Sequence, residues 1–163
     1  MILSQLFDLV DIGLVILDQE LNVCKWNRWM EFHSGIGTEE ILGKPLFDFF
    51  PTLNNPGFLQ TVKFVLNFGN FYFFSQKLHH YLFPFHPRSS LESNFEYMQQ
   101  SCNMGLLREN GTSRKYIYIT VKDVTEAAIY EQRLLEMNMR DGLTGIYNRR
   151  TWKIGSRKSA SDP

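Results

Sequence analysis

Residues 95–122 read FEYMQQSCNMGLLRENGTSRKYIYITVK, and their pattern decides the fold class. Phe95 to Arg108 and Lys115 to Lys122 are strand-length runs. Asn110-Gly111 between them is the strongest short-range hairpin signal, because both residues tolerate positive φ. In the second run Ile117, Ile119 and Val121 alternate with Tyr116, Tyr118 and Thr120, which predicts one face on a core and one face available to another surface. The first run sets Met98, Gln100, Cys102 and Met104 on one face and Tyr97, Gln99, Ser101 and Asn103 on the other.

Working upstream, Gly13 to Leu17 and Val23 to Trp26 form a second hairpin around the turn residues Asp18 to Asn22. Before it, Ile2, Leu3, Leu6, Phe7 and Val10 follow helical spacing and predict a short amphipathic helix. After it, Asn27 can cap a helix over Arg28 to His33 that Gly35 stops, and Thr38 opens a further turn ending at Gly43. Phe47 to Pro51 reads as an aromatic knot. Asn54-Asn55-Pro56-Gly57 starts a longer helix ending at Gly69, with Leu59, Val62, Lys63 and Leu66 on one face. Phe71 to Leu78 reads as a strand, and His79 to Asn94, with its prolines and serines, as a long loop or lid.

Downstream of Asp123-Val124-Thr125-Glu126 the pattern turns helical until Gly142. Ala127, Tyr130, Leu134 and Met137 recur at spacings of 3, 4 and 3, a coiled-coil seam of about two heptads. So short a seam is marginal alone, so any pairing must be shared with the globular part. Residues 155–163 are small, polar and basic and read as a disordered tail or a cloning scar.

Composition excludes several classes. The 163 residues carry 17 basic and 17 acidic side chains, so no net field recruits nucleic acid or an anionic membrane. No run approaches the ~20 apolar residues of a membrane-spanning helix, and Met1 to Leu17 carries Asp8 and Asp11 without a basic leader. Cys24 and Cys102 are the only cysteines, which argues against a disulfide scaffold or a structural zinc site and for a reducing, cytoplasmic setting. Gly37 to Lys44 is not a phosphate loop: five residues separate Gly37 from Gly43, and Pro45 stands where a Ser or Thr is needed. No nucleophile, base and oxyanion group can be assembled from nearby residues, so no catalytic residue is assigned.

The order of elements, α+β with five antiparallel strands and helices grouped on one face, resembles a PAS domain, flanked by N-terminal and C-terminal amphipathic helices. The residues carrying the resemblance are Gly13-Leu14-Val15-Ile16-Leu17-Asp18, Trp26-Asn27, Gly43-Lys44-Pro45-Leu46 leading to Phe49-Phe50-Pro51, and Asp123-Val124-Thr125-Glu126. The last is similar to the D-[IV]-T-E motif at a PAS exit, which implies a signal-output role for Asp123 and Thr125. Further on, Arg140-Asp141-Gly142-Leu143-Thr144-Gly145-Ile146-Tyr147-Asn148-Arg149-Arg150 resembles the opening of a GGDEF, or diguanylate cyclase, domain. The GG[DE]EF signature is absent from these residues, so the fragment itself is not expected to be a cyclase.

The expected organisation is a helix at 1–11, a PAS sensor at 12–125, a signalling helix at 126–141, the start of a GGDEF domain at 142–154 and a tail at 155–163. The resemblance implies a sensory and dimerisation domain controlling a diguanylate cyclase, which joins two GTP into cyclic di-GMP. The expected dimer forms through the PAS part and the seam Ala127, Tyr130, Leu134 and Met137. It also implies a cavity between sheet and long helix, for which Phe64, Phe68, Met98, Gln100, Cys102 and Met104 are the candidate walls, with Gln100 the lone strong hydrogen-bonding group. If the opposite strand face points inward, that assignment reverses.

The alternative is an autonomous receptor for a small molecule, haem or flavin. His79 or His80 would then be the source of a haem ligand. Flavin adduct chemistry needs a cysteine in the helical region, whereas Cys24 and Cys102 both fall on strands. No metal site is expected, since neighbours such as His79 and His80 diverge on either a strand or a helix. No cofactor is assigned.

Overall fold

The computed structural model describes residues 2–88, 91–92 and 94–143, with backbone only for 140–143. The stretch expected to open a GGDEF domain and the tail at 155–163 lie outside the described residues, apart from the helical backbone of 140–143. The chain divides into two units, Met1–Thr125 and Glu126–Pro163.

The first unit begins with α1 (Ile2–Leu9), then β1 (Gly13–Leu17) and β2 (Val23–Trp26). Three small helices follow: α2 (Arg28–Ser34), α3 (Thr38–Ile41) and α4 (Leu46–Phe49). A 3-10 turn (Pro51–Leu53) leads into the longer α5 (Pro56–Phe68). Next come β3 (Tyr72–Phe74), α6 (Gln76–His79), β4 (Gln100–Arg108) and β5 (Lys115–Asp123). The strands make one antiparallel sheet in the order β2-β1-β5-β4-β3, so both long strands sit inside it. The second unit contains nearly all of α7 (Thr125–Leu143). Among the described residues no helix is long and apolar enough to cross a membrane.

Register explains the core. Val15 and Leu17 lie opposite Ile119 and Ile117, and Cys102 and Met104 lie opposite Val121 and Ile119; all of these are buried. The parity of β4 is thereby settled: Gln100, Cys102 and Met104 face the core, and Ser101 and Asn103 do not. Strict alternation would not bury both Val23 and Trp26 of β2. A register shift between Ile16 and Leu17 places an extra residue in that strand and brings both inward.

The outer edge of β2 is not left bare. Gly43 N–H donates to Val23 O at 2.7 Å, Val23 N–H donates to Lys44 O at 2.9 Å, and Asn22 bridges to Pro45. The Gly-Lys-Pro stretch thus covers a strand edge that would otherwise offer unpaired amides.

Three expectations need correction. The Phe71–Leu78 strand shrinks to Tyr72–Phe74, because Ser75 accepts a hydrogen bond from Lys77 N–H and caps α6. The strand expected from Phe95 begins only at Gln100; Met98 and Gln99 bond instead to Phe85 and to Val124 and Thr125. On α5 the buried stripe is Phe58, Val62 and Val65, with Leu59 and Leu66 partly covered, and Lys63 lies on the exposed side.

Asn27 ties the N-terminal elements together. Its side chain is fully buried; Oδ1 accepts from Leu14 N–H at 3.0 Å and Met30 N–H at 3.2 Å, while Nδ2 donates to Phe7 O at 3.0 Å and Ile12 O at 2.9 Å. Beside it, Gly13 is required by close approach. A Cβ there would run into Met30 Sδ and lie 2.7 Å from Trp29 Cε3.

Asn27→Ala is expected to lower stability by about 2–4 kcal/mol, through a lost helix cap and stranded buried amides. Gly13→Ala should cost about 1–3 kcal/mol by overpacking. Urea unfolding of both variants checks these values, with an unchanged midpoint counting against either role.

Candidate functional site

The inner end of β4 is where a PAS cavity was expected, and there Gln100 is 1% exposed. A buried carboxamide must satisfy both ends. Its Oε1 accepts from Leu82 N–H and Phe83 N–H, each at 3.0 Å, and its Nε2 donates to Phe83 O at 2.7 Å. Gln100 N–H donates to His80 O at 2.8 Å. The main partners of the expected ligand-binding group are therefore the chain's own backbone, with the sulfurs of Met98 and Cys102 at 3.7 and 4.0 Å beside them.

That backbone belongs to the segment read from sequence as a lid or loop. Leu82, Phe83 and Phe85 are buried, Phe83 completely. The Phe83 and Phe85 rings stack on each other at 5.5 Å between centroids, and Phe50 meets Phe83 edge-on at 5.0 Å. Trp26 and Trp29 complete the cage, at 6.4 Å from Phe83 and Phe85 respectively. At its far end Arg88 stacks on the Phe32 ring of α2 at 3.9 Å and donates to Phe32 O at 3.0 Å. We call residues 80–88 the strap.

The strap meets the exit of the sheet through one dipeptide. Gln99 N–H donates to Thr125 Oγ1 at 2.9 Å, and Gln99 O accepts from Val124 N–H at 2.8 Å. Thr125 donates in turn, from Oγ1 at 2.6 Å and from N–H at 2.9 Å, to Asp123 Oδ1. A hydrogen-bond chain ending on a carboxylate is stronger than its neutral counterpart. These bonds tie Asp123 and Thr125 to Gln99. Sequence reading missed Gln99 and the strap, although five consecutive residues Tyr-Leu-Phe-Pro-Phe were a signal that this loop is not solvated.

The remaining cavity candidates separate. Met98, Cys102 and Met104 are buried beside Gln100 in the core. Phe64 is 40% exposed and Phe68 69% exposed, so neither joins them; both stand off the buried stripe of α5. Phe64 instead lines a half-open groove of about 730 Å³ between α5 and the β3–α6 corner. Phe58, Phe74 and Leu82 give that groove apolar walls, and Gln60, Tyr72 and His79 give it polar groups.

His79 is exposed and lies edge-on to Tyr72 and Phe74, and His80 is exposed at the end of α6 with φ +64°. Neither fits an axial ligand over a buried haem, because Phe83 occupies the interior behind Gln100. Cys24 lies on β2 and Cys102 on β4, not in the helical region that flavin adduct chemistry needs. Among the described residues no group of three His, Cys, Asp or Glu could hold a metal ion.

Two titrations follow from burial. Burial pushes the Cys102 thiol up to about 12, with the Leu82 backbone acting weakly the other way, so it stays protonated. Cys102 should resist a thiol reagent at pH 8 until the protein is unfolded, whereas Cys24 reacts in the native protein. Native reaction of both thiols at equal rates would contradict this packing.

His33 is stacked on Trp29 at 4.0 Å, and among the described residues its buried Nδ1 has no hydrogen-bond partner. Burial holds its pKa below the ordinary value, against Asp123 and Asp11, while Arg88 adds to the lowering. The unfolded chain then takes up the proton first, so stability is constant above the ordinary histidine pKa and declines as pH falls below it. The difference in melting temperature between wild type and His33→Gln should be independent of pH above neutrality. The wild-type value should fall more steeply between neutrality and pH ~5, which bracket the ordinary histidine pKa.

The sequence matches the family model described as PAS fold over residues 7–129. No curated protein matches it. Among solved structures, the fold is similar to a sensory box sensor histidine kinase from Vibrio cholerae. Identity there is 20%, coverage is 76% of this chain and 90% of that one, and the TM-score is 0.52. It is also similar to the PAS domain of nitrogen regulation protein NR(II) from Vibrio parahaemolyticus (10% identity, 76% and 98% coverage, TM-score 0.51). An RNA-binding light-oxygen-voltage receptor, at 13% identity, covers 88% of this chain and 38% of its own with a TM-score of 0.58. At such identities these likenesses concern the fold alone. The family match spans well over half of the chain, and the sheet order and helix placement agree with it: the chain belongs to the PAS-fold family.

Proposed function

We propose that this PAS domain is a cytoplasmic sensory and dimerisation module that controls a C-terminal diguanylate cyclase. The observation that carries the reading is α7. Its Tyr130, Leu134 and Met137 are 53%, 62% and 62% exposed, and Ala127 is exposed with them, an apolar stripe on a charged helix. The same helix includes Arg140-Asp141-Gly142-Leu143, and the remaining GGDEF-like residues come next in the sequence.

Pairing of two such helices would cover the stripe at the spacing of a coiled coil. A cyclase that joins two GTP, one on each protomer, depends on the separation of its two halves, so a sensor acts on it through geometry. A signal that favours one PAS conformation by ~1–3 kcal/mol gives a roughly 5- to 150-fold response.

The second reading, a small-molecule receptor, is favoured by the groove of about 730 Å³, which lies within the ~300–1,000 Å³ of ordinary ligand pockets. Extra bound mass or a chromophore band in the freshly purified chain would favour it.

The test of the first reading is dimerisation. Leu134→Glu with Met137→Glu should shift the chain from dimer to monomer in sedimentation equilibrium. In the protein carrying the downstream module, the same pair should lower cyclic di-GMP synthesis from GTP by roughly tenfold or more, through lost effective concentration. Unchanged sedimentation overturns the seam, and a parent that makes no cyclic di-GMP overturns the cyclase.

A further inference from the structure

We propose that the ligand position of this PAS sheet is taken by the chain's own strap, and that the seating of Phe83 is read out at the sheet exit through the Gln99–Gln100 dipeptide. The inference rests on reading Asp123–Thr125 as the exit of a sensory domain, but not on which module follows.

Gln99 immediately precedes β4, and Gln100 opens it. Gln100 turns inward and bonds Leu82 and Phe83 through both ends of its carboxamide, with weaker contacts to the sulfurs of Met98 and Cys102. Gln99 has its backbone spent on Val124 and Thr125 and its side-chain Oε1 accepting from Gln76 Nε2 of α6 at 2.8 Å. One peptide unit thus has the strap on one side and the exit on the other. Gln100 cannot follow the strap outward without drawing Gln99 with it, and Gln99 cannot move without breaking the bonds that fix Val124 and Thr125.

The strap has the features of an occupant. It presents an N–H and a C=O of one residue, Phe83, to a carboxamide that answers both, as a bound amide would. Its two phenylalanine rings fill a cage built by other segments, Trp26, Trp29 and Phe50. Its outer fastening, Arg88 on Phe32, is at the surface, where Phe32 is 58% exposed. A cation on an exposed ring is a weak hold. The end of the strap nearest solvent is therefore the weakest, and the end nearest Gln100 the strongest.

If the strap were ordinary core, removing a ring would loosen the whole unit evenly. If it is coupled to the exit, the effect is selective and reciprocal, as linkage requires. The experiment is amide hydrogen exchange on the full 163-residue chain. The Leu14 amide, held by Asn27 Oδ1, serves as the reference for global opening.

Phe83→Ala lowers the stability of the whole unit, and beyond the resulting change at Leu14 it should speed exchange at Gln99 and Val124 by a further factor of about five or more, the lower end of ordinary coupling. Thr125→Val, which removes the acceptor for Gln99 N–H while leaving the strap intact, should speed exchange at Leu82 and Phe83. Faster exchange at Leu14 in step with Val124, or unchanged Leu82 and Phe83 in Thr125→Val, overturns the proposal. Should Phe83→Ala fail to fold, Thr125→Val decides alone. Neither readout involves the downstream module, so failure here leaves the cyclase reading standing, and the converse holds.

Discussion

A buried primary amide whose oxygen and nitrogen partners all lie on the backbone of one segment dictates how the inner face of this sheet is organised. Gln100 sits on the central-facing side of β4 at 1% exposure, where its three side-chain polar interactions with Leu82 and Phe83 replace those that water would supply. Leaving even one of these groups unpaired would cost roughly 1–3 kcal/mol. The strap must therefore lie where it does for as long as Gln100 faces inward. The parity of β4, fixed by pairing Cys102 with Val121 and Met104 with Ile119, leaves Gln100 no other direction.

A second buried amide does the same work among the N-terminal elements. Asn27 reaches α1, β1 and α2 from one position and satisfies all four of its hydrogen-bonding capacities. Between these two amides the core is apolar and aromatic, and Phe50 touches both regions, stacking on Trp26 at 6.0 Å and meeting Phe83 at 5.0 Å. The aromatic knot after the Gly-Lys-Pro edge is thus the floor of the cage. That floor accounts for part of the high phenylalanine content without a bound ligand. The exposed phenylalanines of α5 and β3, including Phe68 and Phe73, are a separate population.

Much of the architecture was legible because it rests on local patterns. Alternation in Ile117, Ile119 and Val121, the Asn110-Gly111 turn, the Asn27 and Asn55 caps and the glycines at 35 and 69 each have a local physical cause, and each appears where that cause places it. The site was less legible, because its decisive contacts join residues 17 or 26 positions apart. Gln100 was singled out as the hydrogen-bonding group of the wall, but its partner lay in a segment whose prolines and serines read as a loop. Nor does periodicity reveal a bulge, which is why Val23 and Trp26 share a face against the alternation rule. Phe64 and Phe68 part from the buried candidates for a related reason. An i, i+4 pair of aromatics on a helix is compatible with either face, and the choice was made by Phe58, Val62 and Val65 packing on the sheet.

The energetics of a strap differ from those of a bound molecule in a way that bears on sensing. Burying Leu82, Phe83 and Phe85 contributes roughly 1.5–3 kcal/mol each. Fixing the backbone of the strap costs roughly 1–2 kcal/mol per residue. Over the nine residues 80–88 that cost exceeds the burial of these three side chains, so the hydrogen bonds to Gln100 and from Met98 N–H decide whether the strap stays seated. An element held by a small difference between large terms responds to modest perturbation, which is the property a two-state device requires. A tethered occupant is also always present at high effective concentration. A diffusing ligand must outcompete that concentration before it can change the exit, so an outside signal acts at least cost on the surface end, where Arg88 and Phe32 meet, rather than at the sealed end beside Gln100.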